Sequence, residues 1–246
     1  METAAYIALS RQTALFRQMD VIANNVANIN TAGYKSEYML FQELVSGSGA
    51  GQSSFASDVA TIRKFDQGDL KFTGRPLDVA LDGDGFFTVQ TDLGPRYTRV
   101  GQLNMGRDGQ LQGTSGHSIL DAGGVPITLS PNDTDISIGE DGTITATENG
   151  ARVQRGQIGV VRFNDLYQLQ KTASGLFEST EAPFAAIPHE DYVLSQGMIE
   201  GSNVNPTLQV TEMIEVSRSV GRTSKMMNEL HELQRQAVST IAKQGQ

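Results

Sequence analysis

The stretch Met19–Glu37, MDVIANNVANINTAGYKSE, begins as a helix and then stops being one. Met19, Ile22, Val26 and Ile29 recur at steps of three and four, the spacing that lines one face of an α-helix. Asn24, Asn25, Asn28 and Asn30 crowd the same stretch, and Thr31, Gly33 and Tyr34 follow. Asparagine amides bond to backbone groups and end helices, glycine permits a left-handed turn, and a tyrosine can dock the chain that comes next. The stretch therefore predicts a helix that closes on a structured polar turn.

Reading outward towards the N-terminus, Ala5, Ala8, Leu15, Met19, Ile22, Val26 and Ile29 form one heptad-like seam, with Gln12 its polar interruption. At the other end Asn205 precedes Pro206, an N-cap followed by proline at the first helical position. From there Met213, Val216, Val220, Thr223, Met227, Leu230, Gln234, Ala237 and Ile241 again alternate steps of three and four, which predicts a second long helix. Gly221 sits inside it and costs about 1 kcal/mol relative to alanine. Either a neighbour packs closely against that glycine or the helix bends. Both seams are too long to leave in water, so they meet each other or the seams of neighbouring copies. Polar seam positions such as Gln12, Thr223 and Gln234 set register in either arrangement.

The middle has a different period. Leu77, Val79 and Leu81 alternate with other residues, as do Ile136 and Ile138, the pattern of half-buried strands. Asp84-Gly85, Asp108-Gly109 and Asp141-Gly142 predict hairpin turns of the type in which both central residues take positive φ. The Gly/Ser-rich stretch VSGSGAGQSS, residues 45–54, reads as a connector. The expected architecture is α+β. A long N-terminal helix occupies 1–35, a connector and extended segment 36–70, a central all-β domain 71–200, and a C-terminal helix 201–246.

Composition narrows the function. The 246 residues carry 19 basic and 28 acidic side chains, a net charge of −9, which argues against a nucleic-acid surface. Cysteine is absent, so neither disulfides nor thiolate metal sites arise. The apolar run Ala4–Leu9 is too short for the core of a signal peptide. His117, His189 and His231 are far apart, and none lies in an H-E-x-x-H pattern. The DGDG of residues 82–85 has Phe87 and Leu93 where a calcium loop needs glycine and glutamate. Neither a G-x-S-x-G elbow nor a P-loop is present. No metal or cofactor is expected. The adjacent acids Glu140 and Asp141 leave a glycan-cleaving enzyme as one alternative, and the seams leave a coiled-coil adaptor as another.

Three ordered blocks carry a resemblance. ANNVANINTAGYKS, residues 23–36, resembles the A-N-N-x-A-N-x-x-T-x-G-Y/F-K signature of the bacterial flagellar rod and hook family. LDVALDGDGFFTVQT, 77–91, is a second family-like stretch. QGMIEGSNVNPTLQVTEMIEVSR, 196–218, is similar to the Q-G-x-L-E-x-S-N-V-N-P block that opens the family's C-terminal helix. The matching motif positions are Asn24, Asn25, Asn28, Thr31, Gly33, Tyr34, Lys35, Ser202, Asn203, Asn205 and Pro206. Length excludes the family's longer hook and shorter rod subunits. The start YIALSRQTALFRQMDV, 6–21, lacks the Trp-Ile-Ala-Lys-Thr-Gly pattern that the distal rod subunit usually carries, so the resemblance is closer to the proximal one, with the distal one as the runner-up.

The resemblance implies a non-enzymatic structural subunit of the proximal rod, made in the cytoplasm and exported to the periplasm without a cleaved signal. Its terminal helices would form a coiled-coil-like inner domain, and its helical array would transmit torque. Its partners would be other rod subunits, its own copies and the flagellar export apparatus, with no small-molecule substrate. Leu15, Met19, Ile22, Val26, Ile29, Met213, Val216, Val220, Met227, Leu230 and Ile241 would contact those partners. Phe41 and Val45, in FQELV, resemble the family's export-gate motif.

Overall fold

A computed structural model of the chain describes residues 2–46, 53–172 and 175–244. It is an α+β protein whose chain divides into two compact units.

One unit takes in Met1–Ala27, Glu37–Lys64 and Asn205–Gln246. It holds helix α1 (Glu2–Ala27), strands β1 (Glu37–Ser46) and β2 (Ser53–Arg63), and helix α2 (Pro206–Gln244). Asn205 caps α2 as its sequence predicts, its Oδ1 accepting from the Leu208 N–H at 3.1 Å. Gln12 Nε2 donates to Ser224 Oγ at 3.3 Å and Asn25 Nδ2 donates to Gln209 Oε1 at 3.0 Å, so α1 and α2 run antiparallel. Ala8, Ile22, Val216 and Thr223 are buried, while Leu15, Met19, Val26, Met213, Val220, Met227 and Leu230 are half-buried. Thr223, a polar member of this stripe, donates to the Ser219 carbonyl at 2.9 Å, which removes the cost of an unpaired buried hydroxyl.

The end of α1 departs from expectation. Helix α1 ends at Ala27, so Ile29 lies beyond it although it keeps the helical spacing. Beyond Ala27 the chain turns, the Thr31 N–H donating to the Asn28 carbonyl at 3.1 Å, and Gly33 takes a φ of +64° where a Cβ would stand 2.9 Å from the Arg99 backbone. Within 36–70, expected as a connector and extended segment, the extended chain forms a long antiparallel hairpin, from Glu37 opposite Arg63 to Ser46 opposite Ser53, with a bulge between Leu40 and Phe41. An Arg63–Glu37 ion pair of 2.8 Å joins its base. The Gly/Ser-rich residues 47–52 that join the strands lie outside the described residues, so the low-packing composition belongs to a link between two strands.

The other unit takes in Asn28–Ser36 and Phe65–Val204. Among the described residues its largest sheet has nine strands, with Phe86–Thr91 paired antiparallel to Gly94–Thr98 and to Ser118–Ile119. Val79–Gly83 pairs with Tyr192–Gln196, and Thr143–Glu148 pairs with both Thr134–Ile138 and Ala151–Gln157. Alternation places Val79, Leu81, Phe87, Val89, Ile144 and Leu194 in one buried core. A second cluster stacks Phe86 edge-on against Phe163 and Phe177, at 5.9 and 5.8 Å between ring centroids.

The Asp-Gly turns are only partly as expected. Asp108-Gly109 and Asp141-Gly142 do lie in hairpins, but only their glycines have positive φ, +78° and +86°, and each turn closes through a glycine N–H. Asp84-Gly85 joins strands that pair elsewhere: the Asp84 N–H donates to the Asp191 carbonyl at 2.9 Å, and Phe86 pairs with Val161. Its glycine is needed for a close approach, since a Cβ on Gly85 would lie 2.6 Å from the Val160 side chain.

The three-stranded sheet is anchored by an ion pair. Arg155 grips Asp133 with two nitrogens, Nε to Oδ2 at 2.9 Å and Nη2 to Oδ1, and the Ser130 N–H donates to Oδ2 at 2.8 Å. The Arg155 bond, helped by that of Ser130, holds the Asp133 carboxyl below its usual range. A folded value below the unfolded one contributes stability above the unfolded value, and that stability is lost as pH falls through the folded one. Cleavage within this sheet by pepsin, which is active in acid, should show it opening as pH falls below about 4. Asp133→Asn should remove that pH dependence, and an unchanged acid profile in the variant would disprove the anchor.

Candidate functional site

The polar turn that follows α1 is built around a buried lysine. Three backbone segments, Gly33–Ser36, Phe65–Asp69 and Glu200–Asn203, meet there, fixed by hydrogen bonds. The Gly33 N–H donates to the Glu200 carbonyl at 2.9 Å, the Asn203 N–H to the Tyr34 carbonyl at 3.2 Å, and the Gly201 N–H to the Asp69 carbonyl at 2.8 Å. Asn203 ties all three: its Oδ1 accepts from the Ser36 N–H at 2.7 Å and its Nδ2 donates to the Asp66 carbonyl at 2.9 Å.

At the centre Lys35 Nζ donates to Glu200 Oε1 at 2.6 Å and to the carbonyls of Asp66 and Phe65 at 2.8 and 3.2 Å. All three ammonium protons therefore have acceptors. Both side chains are fully buried. Glu200 Oε1 also accepts from the Gly68 N–H at 2.9 Å, and Glu200 Oε2 lies 3.6 Å from Arg99 Nη1. Arg99, itself 4% exposed, donates through Nη2 to the Gly83 carbonyl at 2.9 Å and lies over the Phe86 ring. Burial pulls the Lys35 ammonium below the usual lysine range against the opposing pull of Glu200. Burial likewise lowers Arg99. Two cations and one carboxylate thus share a dry site, where each is costly alone and tolerable together.

The helical unit has a fastening of its own. Asn25, 1% exposed, accepts from the Glu37 N–H at 2.9 Å and donates to the Glu37 carbonyl at 2.7 Å while also meeting Gln209. One amide thereby pins the end of α1 to the start of β1 and to α2.

Other expected positions fall around these two fastenings. Thr31 Oγ1 donates to Asn28 Oδ1 at 3.1 Å, and the Ser202 Oγ accepts from the Val204 N–H at 3.3 Å. The Tyr34 ring is buried, with Lys171 Nζ 4.7 Å from its centroid. Asn24 is exposed on α1, and Pro206 opens α2. Phe41 is 43% exposed on β1, and the side chains of Val45 and Ile241 lie outside the described residues. Sequence reading named Lys35 but not its partners Glu200 and Arg99, nor Gly68 or Gln209. Among the described residues no group of His, Asp and Glu side chains is arranged to hold a metal ion. Lys35 Nζ, Glu200 Oε1 and the Asn203 amide join backbone segments, whereas Glu200 Oε2 and the Nε and Nη1 of Arg99 make no hydrogen bond.

Comparison with known proteins identifies the family. The FlgF basal-body rod protein of Caulobacter vibrioides is 37% identical over 99% of both chains. The chain belongs to the flagellar basal-body rod protein family. FlgF of Mesorhizobium japonicum is 36% identical over 98% of each chain, and FlgG of Bacillus subtilis is 32% identical over 97% of this chain and 99% of that one. Three family descriptions match in chain order: a flagella basal body rod protein over residues 6–35, a flagellar hook protein FlgE/F/G D1 domain over 80–146, and a flagellar basal body rod FlgEFG protein C-terminal region over 195–240. The first match of the rod family ends on Lys35, and the last takes in Glu200.

Proposed function

We propose that the chain, a structural subunit of the flagellar basal-body rod, works in the proximal rod, where its terminal helices build the inner layer and carry torque. The observation that carries this reading is the polar fastening at Lys35. A subunit under torque must not let its chain slide where it leaves and re-enters its helices, and Lys35–Glu200 together with Asn203 binds those very segments. Packing of the helices with other rod subunits and with further copies is supported by the apolar side chains they leave exposed, Leu9, Phe16, Val210 and Ile214, since the seams themselves are buried or half-buried within the chain. The role is not enzymatic. A distal place is the second reading, favoured by the 32% identity to Bacillus subtilis FlgG. Imaging the tagged chain in isolated basal bodies tests both: label at the proximal rod is expected, label at the distal rod selects the second reading, and absence from the rod ends both.

Export through the flagellar apparatus to the periplasm, with Phe41 and Val45 as its linear signal, belongs to the same reading. Because Phe41 is exposed once folded, its loss should cost little stability. If the pair is the signal, Phe41→Ala with Val45→Ala should leave the protein in the cytoplasm. Cell fractionation that finds the double variant in the periplasm at the parental level would rule the signal out.

A further inference from the structure

Both helices carry a second stripe on the side turned away from their buried seam. On α1, Leu9, Thr13, Phe16, Asp20 and Ala23 follow steps of four and three, and all are exposed, Leu9 by 50% and Phe16 by 47%. On α2, Val210, Ile214, Ser217 and Gly221 do the same, with Val210 and Ile214 49% and 48% exposed. The sequence left open whether a neighbour packs on Gly221 or the helix bends there. Helix α2 runs unbroken from Pro206 to Gln244, and among the described residues, the adjoining helix backbone apart, no atom lies within 4 Å of a Cβ placed on Gly221. A helix-weakening residue is thus kept at a place where nothing in its own chain requires it.

We infer that the Gly221 stripe of α2 receives the outer stripe of α1 from a second copy, with Phe16 seated over Gly221. This rests on the rod-subunit reading and names the face through which copies touch. Copies in a polar helical array keep one chain direction, so α1 of one against α2 of the next is antiparallel, as the two helices are within the chain. Setting Phe16 on Gly221 in that direction places Ala23 opposite Ile214 and Asp20 beside Arg218. The largest knob meets the gap, the bulky Ile214 meets an alanine, and an acid meets a base, all from one register. Among the described residues neither Asp20 nor Arg218 has an ion-pair partner of its own. The two stripes differ, so the contact is heterologous and leaves one knob stripe and one receiving stripe free at the ends of any stack. Such a contact propagates and does not close into a dimer.

The chain lacks cysteine, which makes trapping direct. Ala23→Cys with Ile214→Cys in one chain should give a ladder of disulfide-linked multiples in oxidised, isolated basal bodies, whereas either substitution alone should give only monomer. Gly221→Leu should keep or raise the helix content of the purified chain, because leucine favours helix over glycine. It should nevertheless lower rod incorporation at least tenfold, and adding Phe16→Ala should restore it. Incorporation of Gly221→Leu at the parental level, a doubly substituted protein present in rods without a ladder, or a trapped band of another protein's mass would each overturn the inference. Absence of the tagged parental chain from basal bodies would instead mark failure of the rod reading itself.

Discussion

Glu200→Leu is expected to destabilise the β-rich unit by about 4 kcal/mol, because removing one partner of a buried ionic cluster leaves uncompensated charge in a dry site. Lys35 and Arg99 would then face each other with no carboxylate between them. The Gly68 N–H would also lose its acceptor. Lys35→Met should cost less, about 3 kcal/mol, since Arg99 remains 3.6 Å from Glu200 and keeps the carboxylate company. The double variant Lys35→Met with Glu200→Leu should recover part of the loss, as buried pairs replaced by apolar groups often do, although Arg99 keeps its charge. Denaturant unfolding of the full chain and the three variants gives the coupling energy directly. Additive losses would show that Lys35 and Glu200 do not act as a pair.

The parts of this fold that could be read ahead of the structure are those whose cause is local. Asn205 and Pro206 announce the start of α2 because an N-cap acts over three residues, and the observed Asn205–Leu208 bond is that interaction. The half-buried stripes of both helices follow from spacing alone. The end of α1 did not, since Ile29 keeps the period although it lies beyond Ala27, and the tight approach of Gly33 to the Arg99 backbone involves a residue distant in sequence. The Asp84-Gly85 turn was misread for a similar reason. A local rule sees the turn residues and not that Phe86 pairs with Val161.

The site was half legible. Lys35 and the asparagines stood out as motif positions, but the meaning of the lysine lies in a partner 165 residues away. One sequence offers no sign that Glu200, which sits among solvent-friendly Gly201 and Ser202, is fully buried. Likewise the hairpin of β1 and β2 was hidden by the Gly/Ser composition of the residues that join its strands. What holds it, Asn25 on Glu37, is a side-chain grip on backbone atoms that leaves no periodic trace.

Gly68→Ala should be nearly as damaging as the loss of Glu200, though it removes no interaction at all. A Cβ at Gly68 would stand 2.3 Å from the Gly201 carbonyl oxygen and 3.0 Å from its carbon, which is backbone that cannot rotate aside. To make room, one of the two strands of chain must shift. The Gly68 N–H to Glu200 Oε1 bond and the Gly201 N–H to Asp69 carbonyl bond lie on either side of the collision, so a shift breaks at least one of them. Overpacking alone costs about 1–3 kcal/mol, and a buried carboxylate that loses a donor adds to it, so a total of about 3 kcal/mol is expected. Gly113→Ala provides the control, because a Cβ at Gly113 meets nothing within 4 Å. Thermal unfolding should separate the two by several degrees. Equal melting temperatures for Gly68→Ala and Gly113→Ala would mean that the segments around Lys35 are loosely held.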